Sequence, residues 1–279
     1  MIKFQILIVV GRAMVDFTYG GMNNPHRDLM EEVKLILELG LDYVEITVEW
    51  PNSWVDNILD NVSELFELAN SYNSFYLVHS PWYLEIGHPY DDVRRGALRE
   101  AFKVIDIAAK LESAYVTFHP FTPGWLAALR EKAREFNVAG FRELVAYSKE
   151  KGVQILVENV DHGAFRSPSD IRYLVDSVPG LLVTLDIGHT FLNGGVDKLR
   201  SYINKLGSEI MHLHAHDNDL NRDLHLPIGA GRIPWNEVVE EIRSWGYKGT
   251  VTLEPHVSDM DYLKISRDKL SFLLEAPSH

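Results

Sequence analysis

Short apolar, strand-like runs alternate with amphipathic helical stretches along the whole chain, and no linker or change of composition interrupts them. The strand-like runs fall at residues 4–10, 43–48, 75–79, 114–119, 153–158, 181–186, 210–216 and 250–254. A helical stretch follows each, at 25–39, 55–70, 92–111, 127–151 with a break near 137–140, 169–178, 196–206, 234–245 and 261–274. The helices are marked by apolar residues at helical spacing, as in Ala97, Ala101, Val104, Ile105, Ala108 and Leu111 behind Asp91 as a cap. Gly40 and Gly246 mark helix ends. The run 153–158 is apolar apart from Gln154 up to its last residue, as suits a parallel strand covered on both faces. Eight such units in 279 residues predict one α/β domain, 1–279, folded as a single (β/α)8 TIM barrel.

Composition narrows the chemistry. There is no cysteine, so disulfides and thiolate metal sites are excluded, and any metal has to be held by His, Asp and Glu. A net charge of −13 argues against a large basic footprint for nucleic acid or anionic lipid. Nothing approaches a membrane span. Residues 4–10 have the length of a small signal core, but Gly11-Arg12 follows at once without a convincing cleavage site. They read as a first core strand, and the protein as cytoplasmic.

Functional groups gather where the strands end. The third run ends in His79, the fourth in His119, the fifth in Glu158, the sixth in Asp186, the seventh carries His214, and the eighth ends in Glu254. Carboxyl ends of barrel strands open into one shared mouth, so these six side chains are expected to converge. Three carboxylates beside three imidazoles repel one another and are costly to desolvate unless divalent metal neutralises them. The densest stretch, MHLHAHDNDLNRDLHLPIGAG from Met211 to Gly231, adds a loop with Asp223 and His225.

Each residue taken singly has a plainer reading. His79 and His119 are compatible with hydrogen-bonded core histidines, and Glu158 and Glu254 with ordinary barrel-mouth carboxylates. Asp186 to His189 also suits a strand-to-turn boundary. His212 and His216 flank His214 on one face, one packing and the other supporting a ligand. Trp50, Trp82 and Trp235 are compatible with a substrate pocket or with core.

Together, VHSPW around His79, TFHP around His119, LVEN around Glu158, LDIGH at 185–189, HLHAHDND, DLHLPIGAG and TLEP around Glu254 resemble the xylose-isomerase-like barrel superfamily. That superfamily includes sugar and sugar-phosphate isomerases and epimerases, and abasic-site nucleases of the endonuclease IV type. The resemblance to its epimerase branch implies one metal at Glu158, Asp186, His214 and Glu254. The resemblance to its nuclease branch implies three zinc ions. His79, His119 and Glu158 would hold one of these, and Glu158, Asp186, His214 and Glu254 the second. His189, Asp223 and His225 would hold the third. Three features depart from the nuclease pattern: a shorter, less basic loop between His214 and Asp223, no Arg or Lys in Glu49-Trp50-Pro51-Asn52, and no phosphate-binding stripe.

The expected function is a divalent-metal-dependent isomerase or epimerase of a small sugar or sugar phosphate, holding one to three ions of Zn, Mn, Co or Mg. Glu158 and Glu254 would exchange protons with the two faces of an enediolate, and His189 would polarise the carbonyl. Trp50 and Trp82 are candidate substrate contacts, as are Arg166 and Arg222 if a phosphate is present. The alternative is a multi-zinc abasic-site phosphoesterase, the only reading with a nucleic-acid partner. A third reading is an idle barrel that senses metal or sugar. The sequence carries no signal of oligomeric state.

Overall fold

The computed structural model describes residues 17–122, 130–192 and 194–275. Eight parallel strands close into a barrel in chain order: β1 (Phe17–Met22), β2 (Tyr43–Thr47), β3 (Phe75–His79), β4 (Tyr115–Phe118), β5 (Gln154–Glu158), β6 (Leu182–Asp186), β7 (Ile210–Ala215) and β8 (Gly249–Leu253). β1 pairs with β8 as well as β2, which closes the ring. Around it lie α1 (Leu29–Glu38), α2 (Val55–Asp60), α3 (Val62–Tyr72), α4 (Asp91–Lys110), α5 (Arg130–Lys151), α6 (Pro168–Ser177), α7 (Ile187–Phe191), α8 (Gly195–Leu206), α9 (Trp235–Trp245) and α10 (Asp261–Glu275). The chain is thus a single (β/α)8 TIM barrel. No helix among the described residues is long and apolar enough to cross a membrane.

The strand expected at residues 4–10 lies outside the described residues, and the barrel's first strand is Phe17–Met22. Its sequence, FTYGGM, does not alternate, and its glycine pair has the composition of a turn. Both glycines are needed for packing. A Cβ on Gly20 would lie 2.2 Å from the Tyr43 ring, and one on Gly21 would lie 2.7 Å from Leu263.

Three helical expectations also change. The stretch 55–70 forms two helices that meet at Asn61, whose side-chain amide donates to the Asn57 carbonyl and competes with the helical ladder. The break expected at 137–140 is absent, and α5 is continuous. Buried Asn137 donates to the Phe121 and Ala133 carbonyls and accepts from the Phe121 N–H, so its polar groups are satisfied inside the helix. Gly140 lets the chain come close, since a Cβ there would sit 2.4 Å from the Ile86 carbonyl oxygen. Asp91 opens α4 rather than capping it, the cap position being Tyr90.

Alternate strand residues go to different places. Val44, Ile46, Ile155, Val157, Val251 and Leu253 join the large core between strands and helices. Tyr43, Leu77, Tyr115 and Leu156, with Phe75 and Leu182 against them, form a separate apolar plug. Further along the same inward faces the residues turn polar, ending in His79, Glu158 and Asp186. The register pairs Thr47 with His79 and Asp186 with His214, so these groups share one level. Burying each large apolar side chain contributes about 1.5–3 kcal/mol, and the plug gives the polar layer above it a dry, rigid floor.

Candidate metal centre at the barrel mouth

Glu158 is the hub of the site. His79 Nε2 lies 3.1 Å and His119 Nε2 2.9 Å from its Oε2. His214 Nδ1 is 3.3 Å from the same oxygen, and His189 Nδ1 is 3.3 Å from Oε1. Glu254 joins from β8, with Oε1 2.9 Å from His214 Nδ1. Asp186 caps α7 by accepting from the His189 N–H, and its Oδ2 faces His216 Nε2 at 3.3 Å. Gly188 makes room for that imidazole, because a Cβ there would fall 2.0 Å from the His216 ring.

The loop after β7 supplies the rest. Asp217 is fully buried and accepts from the Asn218, Gly229 and Ile233 N–H groups and from Trp235 Nε1, at 2.8–3.1 Å. This single carboxylate pins both ends of the loop that carries Asp223 and His225. Asp223 Oδ2 meets His189 Nε2 at 3.2 Å and His225 Nε2 at 3.1 Å. His225 has a φ of +44°, an uncommon backbone conformation for a side-chain-bearing residue, and stacks between His216 and His256.

All nine residues expected as metal ligands therefore converge. Their donor atoms overlap in groups: His79, His119 and Glu158; Glu158, Asp186 and His214; Asp186, His216 and Glu254; and His189, His216, Asp223 and His225. Within each group the atoms lie within 4.8 Å of one another. A divalent ion fits this arrangement. Asp186 Oδ2, His214 Nδ1 and both ring nitrogens of His216 are buried without a hydrogen-bond partner, a costly state unless a cation takes them up. The donors are nitrogen and oxygen only, which suits divalent ions such as Zn or Mn.

The electrostatics agree. Burial pushes the Glu158 carboxyl up, but the facing His119 and His214 outweigh it and hold the group well below the usual carboxylate range. Burial pushes His214 down, and Glu254, Glu45 and Glu158 together carry it well above the ordinary imidazole value. His189 is likewise raised despite burial, chiefly by Asp186 and by its hydrogen bond to Asp223. Burial pushes His225 down, yet its hydrogen bond to Asp223 and the charge of Glu254 raise it to about 9. A raised folded pKa means stability present below the unfolded value near 6.5 and lost as pH climbs through about 9. The thermal midpoint of metal-free protein should therefore fall between pH 6.5 and 9, with His189 and His214 acting in the same direction. Calorimetry across that range checks this, and a midpoint that rises with pH would contradict it. His225→Gln should flatten part of the slope.

Above the donors opens a cavity of about 920 Å³, lined by Glu158, Glu254, His189 and Trp82 among others. Asp186 and His214 are fully buried and do not line it. Its only Arg or Lys among the described residues is Arg27, already paired with Glu32 at 2.9 Å. Of the expected substrate contacts, Trp82 lines the cavity and is 66% exposed. Trp50 does not line it; it is 61% exposed and stacks on Trp54. Arg222 is tied to Asp219 at 2.8 Å and Arg166 is exposed, and neither lines the cavity. Three contributors escape a reading of strand ends. Glu45 lies mid-strand, His216 follows β7 and joins two donor groups, and His256 stacks on His225. The alternation His212, His214, His216 is the signal that could have promoted His216.

The chain is similar to an uncharacterised protein of Methanocaldococcus jannaschii, 29% identical over 84% of this chain and 92% of that one. It is 25% identical to fructoselysine 3-epimerase of Shigella flexneri, over 78% of this chain and 81% of the relative. The crystal structure of a D-tagatose 3-epimerase-like protein superposes with a TM-score of 0.83 at 27% identity, covering 92% of this chain and 97% of that one. Probable endonuclease 4 proteins are also among its sequence relatives. The model of the xylose isomerase-like TIM barrel family matches residues 33–276, and with the closed barrel and the donors at its mouth, the chain belongs to that family.

Proposed function

We propose that this protein is a divalent-metal-dependent epimerase or isomerase of a small, unphosphorylated ketose or a closely related sugar. The observation that carries the reading is a pair of buried carboxylates, Glu158 and Glu254, either side of His214 at the base of a cavity with no unpaired Arg or Lys among its described lining residues. An unpaired Arg or Lys is the common side-chain partner of a phosphate, so this lining favours an unphosphorylated sugar. The epimerase relatives support the same substrate class.

Glu158, Asp186, His214 and Glu254 would hold the ion. When bound, it supplies Lewis-acid polarisation of adjacent carbonyl and hydroxyl oxygens, which acidifies the neighbouring C–H. Glu158 and Glu254 reach the site from β5 and β8, so they approach a bound sugar from different sides. One takes the carbon-bound proton, the C–H electron pair becomes the double bond of an enediolate, and the other returns a proton to the opposite face. His189 lines the cavity, held by the Asn159 carbonyl at 3.0 Å and by Asp223; a substrate oxygen would have to share or displace one of these contacts to be polarised by it. Trp82 would cover the sugar's apolar face.

The test is turnover of a ketohexose panel (D-fructose, D-psicose and D-tagatose) by Mn²⁺- or Co²⁺-loaded protein in D₂O. Epimerised product should carry deuterium next to the carbonyl. A specific observation keeps a phosphoesterase in view: the groups His79, His119 and Glu158, and His189, His216, Asp223 and His225, give donors beyond those one ion needs. Two or three tightly held ions per chain, with metal-dependent incision of an abasic-site duplex and no exchange into any ketose, would overturn the epimerase reading.

A further inference from the structure

Glu45, on β2, is a fully buried carboxylate one layer beneath the metal donors. Its Oε2 accepts from His212 Nε2 at 2.9 Å and from the Thr252 hydroxyl at 2.5 Å. His214 Nε2 lies 3.3 Å from both Glu45 oxygens. Behind this shell, the Tyr43 hydroxyl meets Thr252 Oγ1 at 2.9 Å, and His212 Nδ1 meets Thr250 Oγ1 at 2.7 Å. Each polar side-chain atom of Glu45 and His212 is therefore satisfied.

An ionised carboxylate can only accept, so His214 has to present Nε2 as an N–H. Its other nitrogen, Nδ1, is buried without a hydrogen-bond partner, 2.9 Å from Glu254 Oε1 and 3.3 Å from Glu158 Oε2. We infer that Glu45 is a positioning residue. By accepting the His214 Nε2–H, it fixes the tautomer whose Nδ1 lone pair faces the metal donors, and it holds the ring in that orientation. Orientation by such an outer carboxylate strengthens a histidine ligand. Glu45, His212 and His214 also lie close enough to be a donor group themselves. The saturated hydrogen bonds of Glu45 and His212, and the tyrosine–threonine shell behind them, favour the positioning role.

This inference rests on His214 being a metal ligand, and the experiment separates the two claims. Zn²⁺ is titrated into metal-free wild type, Glu45→Gln and Thr252→Val, and ¹⁵N-histidine long-range NMR reads the His214 tautomer in the zinc-loaded protein. Glu45→Gln should weaken binding by about 10- to 100-fold, and the wild type should show protonated Nε2 with zinc-bound Nδ1. Thr252→Val also removes a buried hydrogen bond to Glu45 but leaves the contact with His214, so its affinity should fall clearly less than that of Glu45→Gln. Equal affinities for wild type and Glu45→Gln overturn the role of Glu45 alone. So does a wild-type His214 bound through Nε2, a result available even if the variant does not fold. A second wild-type ion that disappears in Glu45→Gln would make Glu45 a ligand, and also overturns it. A wild type that binds no zinc rejects the metal reading and this inference with it.

Discussion

Glu158→Gln is expected to lower ketose turnover by about 10²- to 10⁴-fold, the range for losing a positioned acid–base group. The glutamine keeps the shape of the side chain but cannot take a proton from carbon. It also places an amide N–H₂ or a neutral oxygen where His79, His119, His189 and His214 now meet a carboxylate, at 2.9–3.3 Å. Against the upward push of burial, His119, His214 and His189 hold Glu158 well below its ordinary pKa, so the native group is the base-competent anion at neutral pH. Measurement at saturating Mn²⁺ separates lost proton transfer from lost metal. kcat should fall and deuterium uptake should cease, while the far-UV circular dichroism stays native. A variant that retains more than a tenth of the wild-type kcat would remove Glu158 from the proton-transfer step.

That this residue can be singled out at all reflects how barrels write themselves into sequence. A buried parallel strand must be apolar on its helix-facing side, so a lone charged residue at its carboxyl end, as in QILVE or LVTLD, stands out. The same rule locates His79 and Glu254. It fails for Glu45, because YVEIT places the charge mid-strand, where only the closed ring of strands reveals that alternate residues face the His212 and His214 rings rather than the helices. β1 was illegible for a different reason. Its role is to leave space for Tyr43 and Leu263, and missing side chains carry no periodicity. The continuity of α5 was equally hidden, since it depends on Asn137 finding partners from the loop at Phe121. The convergence of Asp223 with His189 depends on Asp217 gathering donors from residues up to Trp235, a long-range event that local pattern does not encode. Trp50 and Arg222 show the reverse case. Residue type suggested contact with substrate, but neither residue lines the cavity; Trp50 stacks on Trp54 and Arg222 pairs with Asp219.

Asp186→Asn should uncouple folding from metal. Asp186 uses one oxygen to cap α7 through the His189 N–H, and an asparagine carbonyl can continue to do so. The other oxygen is buried, has no hydrogen-bond partner and faces His216. In the variant an N–H₂ group takes its place, and donor hydrogens pointing at a cation cannot ligate it. The barrel should therefore form while the metal site fails. An ion that binds only the folded state stabilises it by about 2.7 kcal/mol at one hundred times its Kd. The wild-type thermal midpoint should thus rise by several degrees when Mn²⁺ or Zn²⁺ is added to that level. Asp186→Asn at the same metal concentration should show no rise, and elemental analysis after dialysis should find its metal content sharply reduced. A midpoint that climbs as far in the variant as in the wild type would mean that the ion sits elsewhere, and Asp186 would lose its place among the ligands.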